Sequence, residues 1–173
     1  YIDHVLCSTG PYQCVEPTST RDRIYVNLNE ARAFGGELSL SYRIADFTPY
    51  GAATWARRRY ETATYTTYDT GYPTLSGRIG LKFERAVTDT IYLWADAYLR
   101  LADGSDERAS ATEVIHHGGW GTSNLSVGAD FGKDRLYRLV ADLTNIGNKT
   151  YTPTQENLLA PETAIFVKLI ASF

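Results

Sequence analysis

The 173-residue chain contains no Met, only two Cys and three His, and no apolar run that approaches the length of a membrane-crossing helix. Each absence excludes something. A helix needs about 20 consecutive apolar residues to cross hydrocarbon, so no transmembrane helix is encoded. Lys and Arg number 17 against 20 Asp and Glu, a net charge of −3. That balance lacks the basic stripe that nucleic acid calls for, and no nucleic-acid partner is expected. His4, His116 and His117 are the whole histidine supply and no G-x-S-x-G elbow occurs, so a nucleophile, base and orienter find no framework. The chain is therefore not expected to be an enzyme, and no cofactor is expected. Without Met it cannot start at its own translation start. The expectation is a processed product or fragment, with its true amino-terminal signals out of view.

Cys7 and Cys14 enclose six residues in "CSTGPYQC", where Gly10 and Pro11 favour a turn that brings the two sulfurs together. Zinc sites use four ligands at tighter paired spacings, so a disulfide closing a small loop is the expected state, in an oxidising compartment. Two unrelated free thiols are the alternative.

What the chain does have is tyrosine, glycine and period-two alternation: 13 Tyr, 14 Gly, and no sustained 3.6-residue pattern. The reading is all-β with eight strands. They run from Tyr1 to about Leu6, Arg23 to Ile44, Phe47 to Tyr65, Leu75 to Arg85, Thr90 to Leu101, Thr122 to Phe131, Leu136 to Asn145, and Ile165 to Phe173. Most separate cleanly into two faces. Ile91, Leu93, Ala95, Ala97, Leu99 and Leu101 oppose Tyr92, Trp94, Asp96, Tyr98 and Arg100; Ile165, Val167, Leu169, Ala171 and Phe173 oppose Phe166, Lys168, Ile170 and Ser172. The third strand does not separate, because "GAATWARRRY" mixes Ala with Arg.

The connections alternate too. "IADF", "AVTD" and "GKDR" are short; the stretches around 7–22, 64–74, 102–120 and 148–162 are long and polar. A meander with short turns at one end and long loops at the other is the plan of an outer-membrane barrel. The face carrying Arg78, Lys82, Glu84, Asp96, Arg100, Asp130, Arg138 and Asp142 needs water or ion partners, which a wet barrel interior supplies, and the apolar face then meets lipid. A soluble β-sandwich or lipocalin-like barrel is the alternative, set against strands much longer than the usual five or six residues.

Three places resemble the carboxy-terminal part of TonB-dependent outer-membrane receptors. In "NEARAFGGEL", Ala31, Gly35 and Glu37 match that family's small residue, Gly and Glu on a descending strand. In "LVADLTNIGNKTY", Asn145, Ile146, Asn148, Lys149 and Tyr151 look like its Asn-hydrophobic-x-[Asp/Asn]-[Lys/Arg]-x-Tyr signature on the penultimate strand. The terminal strand ends on Phe173, like the signal that outer-membrane barrels present to their assembly machinery. The family's Pro-Gly-Arg before the last strand is met here only by Pro161 of "APET". The resemblance implies a barrel of about 22 strands with a plugged lumen, of which residues 1–173 supply about the last eight. It further implies a plug domain and TonB box outside this chain, and partnership with the TonB complex, outer-membrane lipid and lipopolysaccharide. The implied location is the outer membrane of a Gram-negative bacterium. The implied cargo is a scarce nutrient, with a ferric siderophore or haem the expected ligand. A self-contained eight-stranded barrel is the alternative.

Candidate ligand residues sit where long loops begin. Arg57, Arg58 and Arg59 with Tyr60, Tyr65, Tyr68 and Tyr72 form a basic-aromatic patch suited to flat or anionic chelates. Alternation requires that Arg58 face the lumen and its two neighbours not, or the reverse. Trp120 in "GGWGT" and the pair His116 and His117 are further candidates, the histidines as ligands for haem iron or a metal. A girdle and lipid-phosphate role for the arginines and tyrosines, and a merely solvated loop for the histidines, are the plainer readings.

Overall fold

A computed structural model describes residues 2–6 and 23–27 as backbone only, and residues 30–63, 65–153 and 159–172 in full. Cys7, Cys14 and Phe173 lie outside the described residues, and with them the expected disulfide and the terminal aromatic.

In chain order the strands are β1 (Ile2–Leu6), β2 (Arg23–Asn27), β3 (Glu30–Ser41), β4 (Phe47–Glu61), β5 (Thr66–Thr67), β6 (Leu75–Thr88), β7 (Ile91–Ala102), β8 (Ser105–Arg108), β9 (Val114–His117), β10 (Trp120–Phe131), β11 (Tyr137–Thr144) and β12 (Ala164–Ala171). The long strands form one antiparallel meander in the order β12-β11-β10-β7-β6-β4-β3, with β5 folding back on the end of β4. β1 pairs with β2, and β8 with β9, in two separate ladders. Within the described residues β12 pairs only with β11, and β3 only with β4, so the sheet does not close on itself.

The expectation of an all-β antiparallel meander is met, with adjustments. The strand expected over 23–44 appears as β2 and β3. The third strand stops at Glu61, short of Tyr65, because Thr62 turns the chain. Its N–H donates to Tyr65 O at 2.9 Å, and Tyr65 N–H donates to Thr62 Oγ1 at 3.1 Å. The fourth runs on to Thr88 through a register shift at Ala86–Thr88. Two of the expected long loops carry paired strands of their own, β5 and the β8–β9 hairpin. Sequence did not reveal these because neither Thr66–Thr67 nor Ser105–Arg108 with Val114–His117 shows apolar alternation.

The register fixes the two faces. Leu38, Ala53, Gly77 and Leu101 are cross-strand neighbours in one row; Leu81, Ala97, Leu125 and Leu143 make another, continued by Ile165. Among the described residues nothing packs on this apolar face: Leu40 is 67% exposed, Val167 68% and Leu169 68%. Among the described residues only Ala109 and Val140 are buried apolar side chains, so there is no second layer and no sandwich core. Exposed apolar area on this scale calls for a cover.

Aromatic rings mark both borders of the band. Near the long-loop end Phe34 and Trp55 pack edge to face, 5.6 Å apart. Near the short-turn end Phe47 meets Phe83 at 5.2 Å and Phe131 stacks on Tyr137 at 5.5 Å. Trp55 and Phe47 are eight residues apart on β4, roughly 27 Å along the strand and about 20 Å across a band tilted by some 40°. Paired aromatic borders at that spacing match the girdles of a membrane barrel wall.

Candidate functional site

The opposite face is charged and aromatic. Tyr50 donates to Asp96 Oδ1 at 2.7 Å, Arg78 donates to Asp96 Oδ2 at 2.7 Å, and the Arg78 guanidinium lies 3.5 Å from the centre of the Tyr98 ring. Arg138 holds Asp130 through two bonds of 2.7 and 2.8 Å, and Lys168 reaches Asp142 at 3.1 Å. Paired charges of this kind fit a face turned to water, where an unpaired ion in a dry core would be costly. Two rings lie flat across glycines on neighbouring strands. Tyr50 stands opposite Gly80 and Trp94 opposite Gly128, and a Cβ on either glycine would overlap the ring.

The faces of β4, unreadable in sequence, are settled by register. Arg58 pairs with Ala33, while Arg57 pairs with Phe34 and Arg59 with Arg32. Arg58 therefore shares the charged face and its two neighbours share the apolar one. The basic-aromatic patch forms two stacks: Arg58 packs under Tyr72, 4.3 Å from its ring centre, and Arg57 under Tyr68 at 4.1 Å. Beyond the strand the four side chains line one polar concavity of about 240 Å³ with Asp69 and Asp106.

Tyr72 is held there by its loop. The segment around 69–71 is stapled to the β8–β9 hairpin: Arg108 N–H donates to Asp69 O at 2.9 Å and Gly71 N–H to Asp106 O at 2.8 Å. The Arg108 guanidinium also grips Asp69 Oδ2 at 2.8 Å. Across this mouth Arg58, Tyr72, Arg78, Arg100 and Trp120 line one concavity of about 400 Å³, floored by Ser76 and Ala102. Trp120 carries the Arg100 guanidinium 5.7 Å from its ring centre and stacks on Tyr151 at 4.4 Å.

The two histidines are not brought together. His116 contacts Asp106 Oδ1 at 2.6 Å and His117 contacts Glu107 Oε2 at 3.1 Å, on opposite faces of the hairpin because they are successive strand residues. Among the described residues no group of three or more His, Cys, Asp or Glu is placed to hold a metal ion.

The Asn145 to Tyr151 segment begins where β11 ends and forms a clasp. Buried Asn145 accepts from Lys149 N–H at 2.9 Å and donates to Lys149 O at 2.9 Å and Pro161 O at 3.0 Å. Its own N–H donates to Asn124 Oδ1 at 3.0 Å, and Asn148 Oδ1 accepts from Thr163 N–H at 3.0 Å. Both asparagines adopt positive φ, 51° and 48°, a conformation Asn tolerates better than most residues. The clasp ties the segment to the start of β12 and sets Tyr151 against Trp120. Lys149 supplies backbone atoms to it. Asn124, buried and central to the clasp, was not singled out in sequence; an Asn on a polar face with Thr122, Ser126 and Asp130 carries no distinguishing signal.

These features define a wall segment with one apolar and one wet, charged face. No family model matches the chain, and no curated protein matches it. Among solved structures it is similar to the FrpB iron transporter from Neisseria meningitidis (F3-3 variant), with a TM-score of 0.60 and 15% sequence identity over 89% of this chain. The match covers 26% of that transporter, so the chain spans about a quarter of its length. At that identity the likeness shows a shared fold, the antiparallel wall of a β-barrel.

Proposed function

We propose that this chain is part of the barrel wall of an outer-membrane receptor that imports an iron-bearing nutrient, a ferric siderophore or haem, with energy delivered through TonB. The observation that carries the reading is the fold shared with an iron transporter, on a sheet with one exposed apolar face and one charged face. A plug domain and further barrel strands complete the receptor in this reading and pair with the edges of β3 and β12, since unpaired strand edges cannot face lipid. Lipid and lipopolysaccharide surround the apolar band, and the long loops help to enclose the ligand. The chain binds and conducts; it does no bond chemistry.

The test is growth and ⁵⁵Fe uptake of the parent bacterium under iron limitation, with individual ferric siderophores or haem as sole iron source. Deleting the complete gene is expected to abolish uptake of one of them, and loss of TonB to do the same. Unchanged uptake of every iron source in the deletion strain would contradict the iron reading. A complete gene product that is a 173-residue barrel and nothing more would favour the self-contained alternative.

A further inference from the structure

We infer that the apolar face of the wall carries a groove over Ala53 and Gly51 that seats one acyl chain of a membrane lipid. The inference rests on the membrane-wall reading for its setting and on this chain's own residues for its shape.

Register builds the groove. Beyond Trp55 the residues of β4 on the apolar face are Ala53, Gly51 and Pro49, and they floor a cavity of about 930 Å³. In the Gly51 row the walls are Leu40 on β3 and Ile79 on β6, 67% and 57% exposed. Gly77 of β6 widens the groove in the Ala53 row. The two glycines differ in origin. A Cβ on Gly77 would come within 2.8 Å of the Ala52 carbonyl oxygen, so the close approach of β4 accounts for it. A Cβ on Gly51 would meet only the Arg78 carbonyl oxygen, at 3.9 Å, and Gly51 has no positive φ. The packing of the described residues therefore does not require a glycine there. Glycine inside a strand weakens it and marks a place where a ligand or another backbone comes close.

Dimensions choose the occupant. Leu40 and Ile79 stand two strand spacings apart, roughly 10 Å between backbones. Their side chains narrow that gap below the diameter of a helix, about 10 Å, and leave room for a single unbranched chain. From Trp55 to Pro49 the floor extends six residues, roughly 20 Å. An extended acyl chain from a leaflet about 15 Å deep fits that length. Trp55 heads the groove at the aromatic border, where the ester end of such a chain sits. No hydrophobic force drives a chain from lipid to wall. Retention comes from dispersion contact, which a groove with a bare floor and two apolar walls increases over a flat surface.

The experiment titrates the complete gene product, delipidated in a short-tailed detergent, with phosphatidylcholine brominated near the ester end of one acyl chain. Bromine quenches tryptophan on contact; Trp55 heads the groove, while Trp94 and Trp120 lie on the charged side. Quenching is expected to saturate at one lipid per protein and to disappear in Trp55→Phe. Gly51→Leu fills the floor and is expected to weaken binding tenfold or more, while Ala97→Leu, on the same face of β7, leaves it unchanged. Retention of the heat-resistant band in SDS gels checks folding of each variant. Should Gly51→Leu fail to fold, lipid brominated at the methyl end decides on the unmodified protein, where it is expected to bind as tightly but quench less. Quenching that rises without saturating, equal quenching from both bromine positions, or equal loss in Gly51→Leu and Ala97→Leu would overturn the inference. A dimer that Gly51→Leu dissociates would overturn it too, by giving the groove to a second copy. Saturable binding in a protein that imports no iron would leave the groove standing and remove the iron reading.

Discussion

Arg78 and Arg100 face each other across β6 and β7, and among the described residues only Arg78 has a carboxylate, Asp96 at 2.7 Å. Directly opposed like charges cost roughly 0.2–1 kcal/mol on a sheet. Arg100→Gln is therefore expected to leave stability unchanged or raise it by up to about 1 kcal/mol. Urea unfolding in detergent checks the sign. A marked loss of stability would mean that Arg100 holds the wall together.

Trp94 lies across Gly128 and Tyr50 across Gly80, ring over bare backbone. Gly128→Ala must push the indole aside, and overpacking of this kind costs about 1–3 kcal/mol. Gly36→Ala is the control, because a Cβ there meets nothing within 4 Å. Midpoints of thermal unfolding distinguish the two, and equal shifts would contradict the packing described.

The Asn145 clasp bonds to Lys149 and Pro161 from a buried position. Asn145→Ala strands the Lys149 N–H and the Pro161 carbonyl, at about 1–3 kcal/mol, and removes a residue suited to positive φ. Faster hydrogen exchange over residues 145–153 is expected, along with a change in Trp120 fluorescence as Tyr151 loosens. Exchange unaltered there would show that the clasp is incidental.

Ala97 sits midway along β7 on the apolar face, between Leu81 and Leu125. Ala97→Arg is expected to cost about 2–4 kcal/mol in a bilayer, the charge of an Arg at the midplane. Phe166→Gln, on the charged face opposite Asp142, is expected to shift stability by about 0.5 kcal/mol or less. Folding titrations in lipid vesicles measure both.

Much of this was legible in sequence. The alternation of Ile91 to Leu101, Leu125 to Phe131 and Ile165 to Ala171 assigns the same faces as the register, because a side-chain period of two leaves no freedom once one face is apolar. β4 was illegible: on its apolar side Gly51, Ala53 and Arg57 are small or charged where a lipid-facing strand would show Leu and Ile. That Arg58 and not Arg57 or Arg59 shares the charged face follows from parity, and only the pairing with β3 supplies it. His116 and His117 were legible as candidates but their partners were not: as successive strand residues they point to opposite faces, one to Asp106 and the other to Glu107. The Asn145 signature was legible as a motif but not as a clasp, since its partners Asn124 and Pro161 lie about 20 residues away on either side.

The most direct test of the wall reading is an accessibility scan along β7. Single spin labels at positions 93 to 101 of the complete product, with Cys7 and Cys14 replaced by Ser, are reconstituted in lipid. Their relaxation is measured against oxygen, which partitions into lipid, and a nickel chelate, which stays in water. Positions 93, 95, 97, 99 and 101 are expected to favour oxygen, and 94, 96, 98 and 100 the nickel chelate, in strict counter-phase. Odd positions shielded from both reagents would show that the apolar face packs against protein, and would contradict the membrane wall.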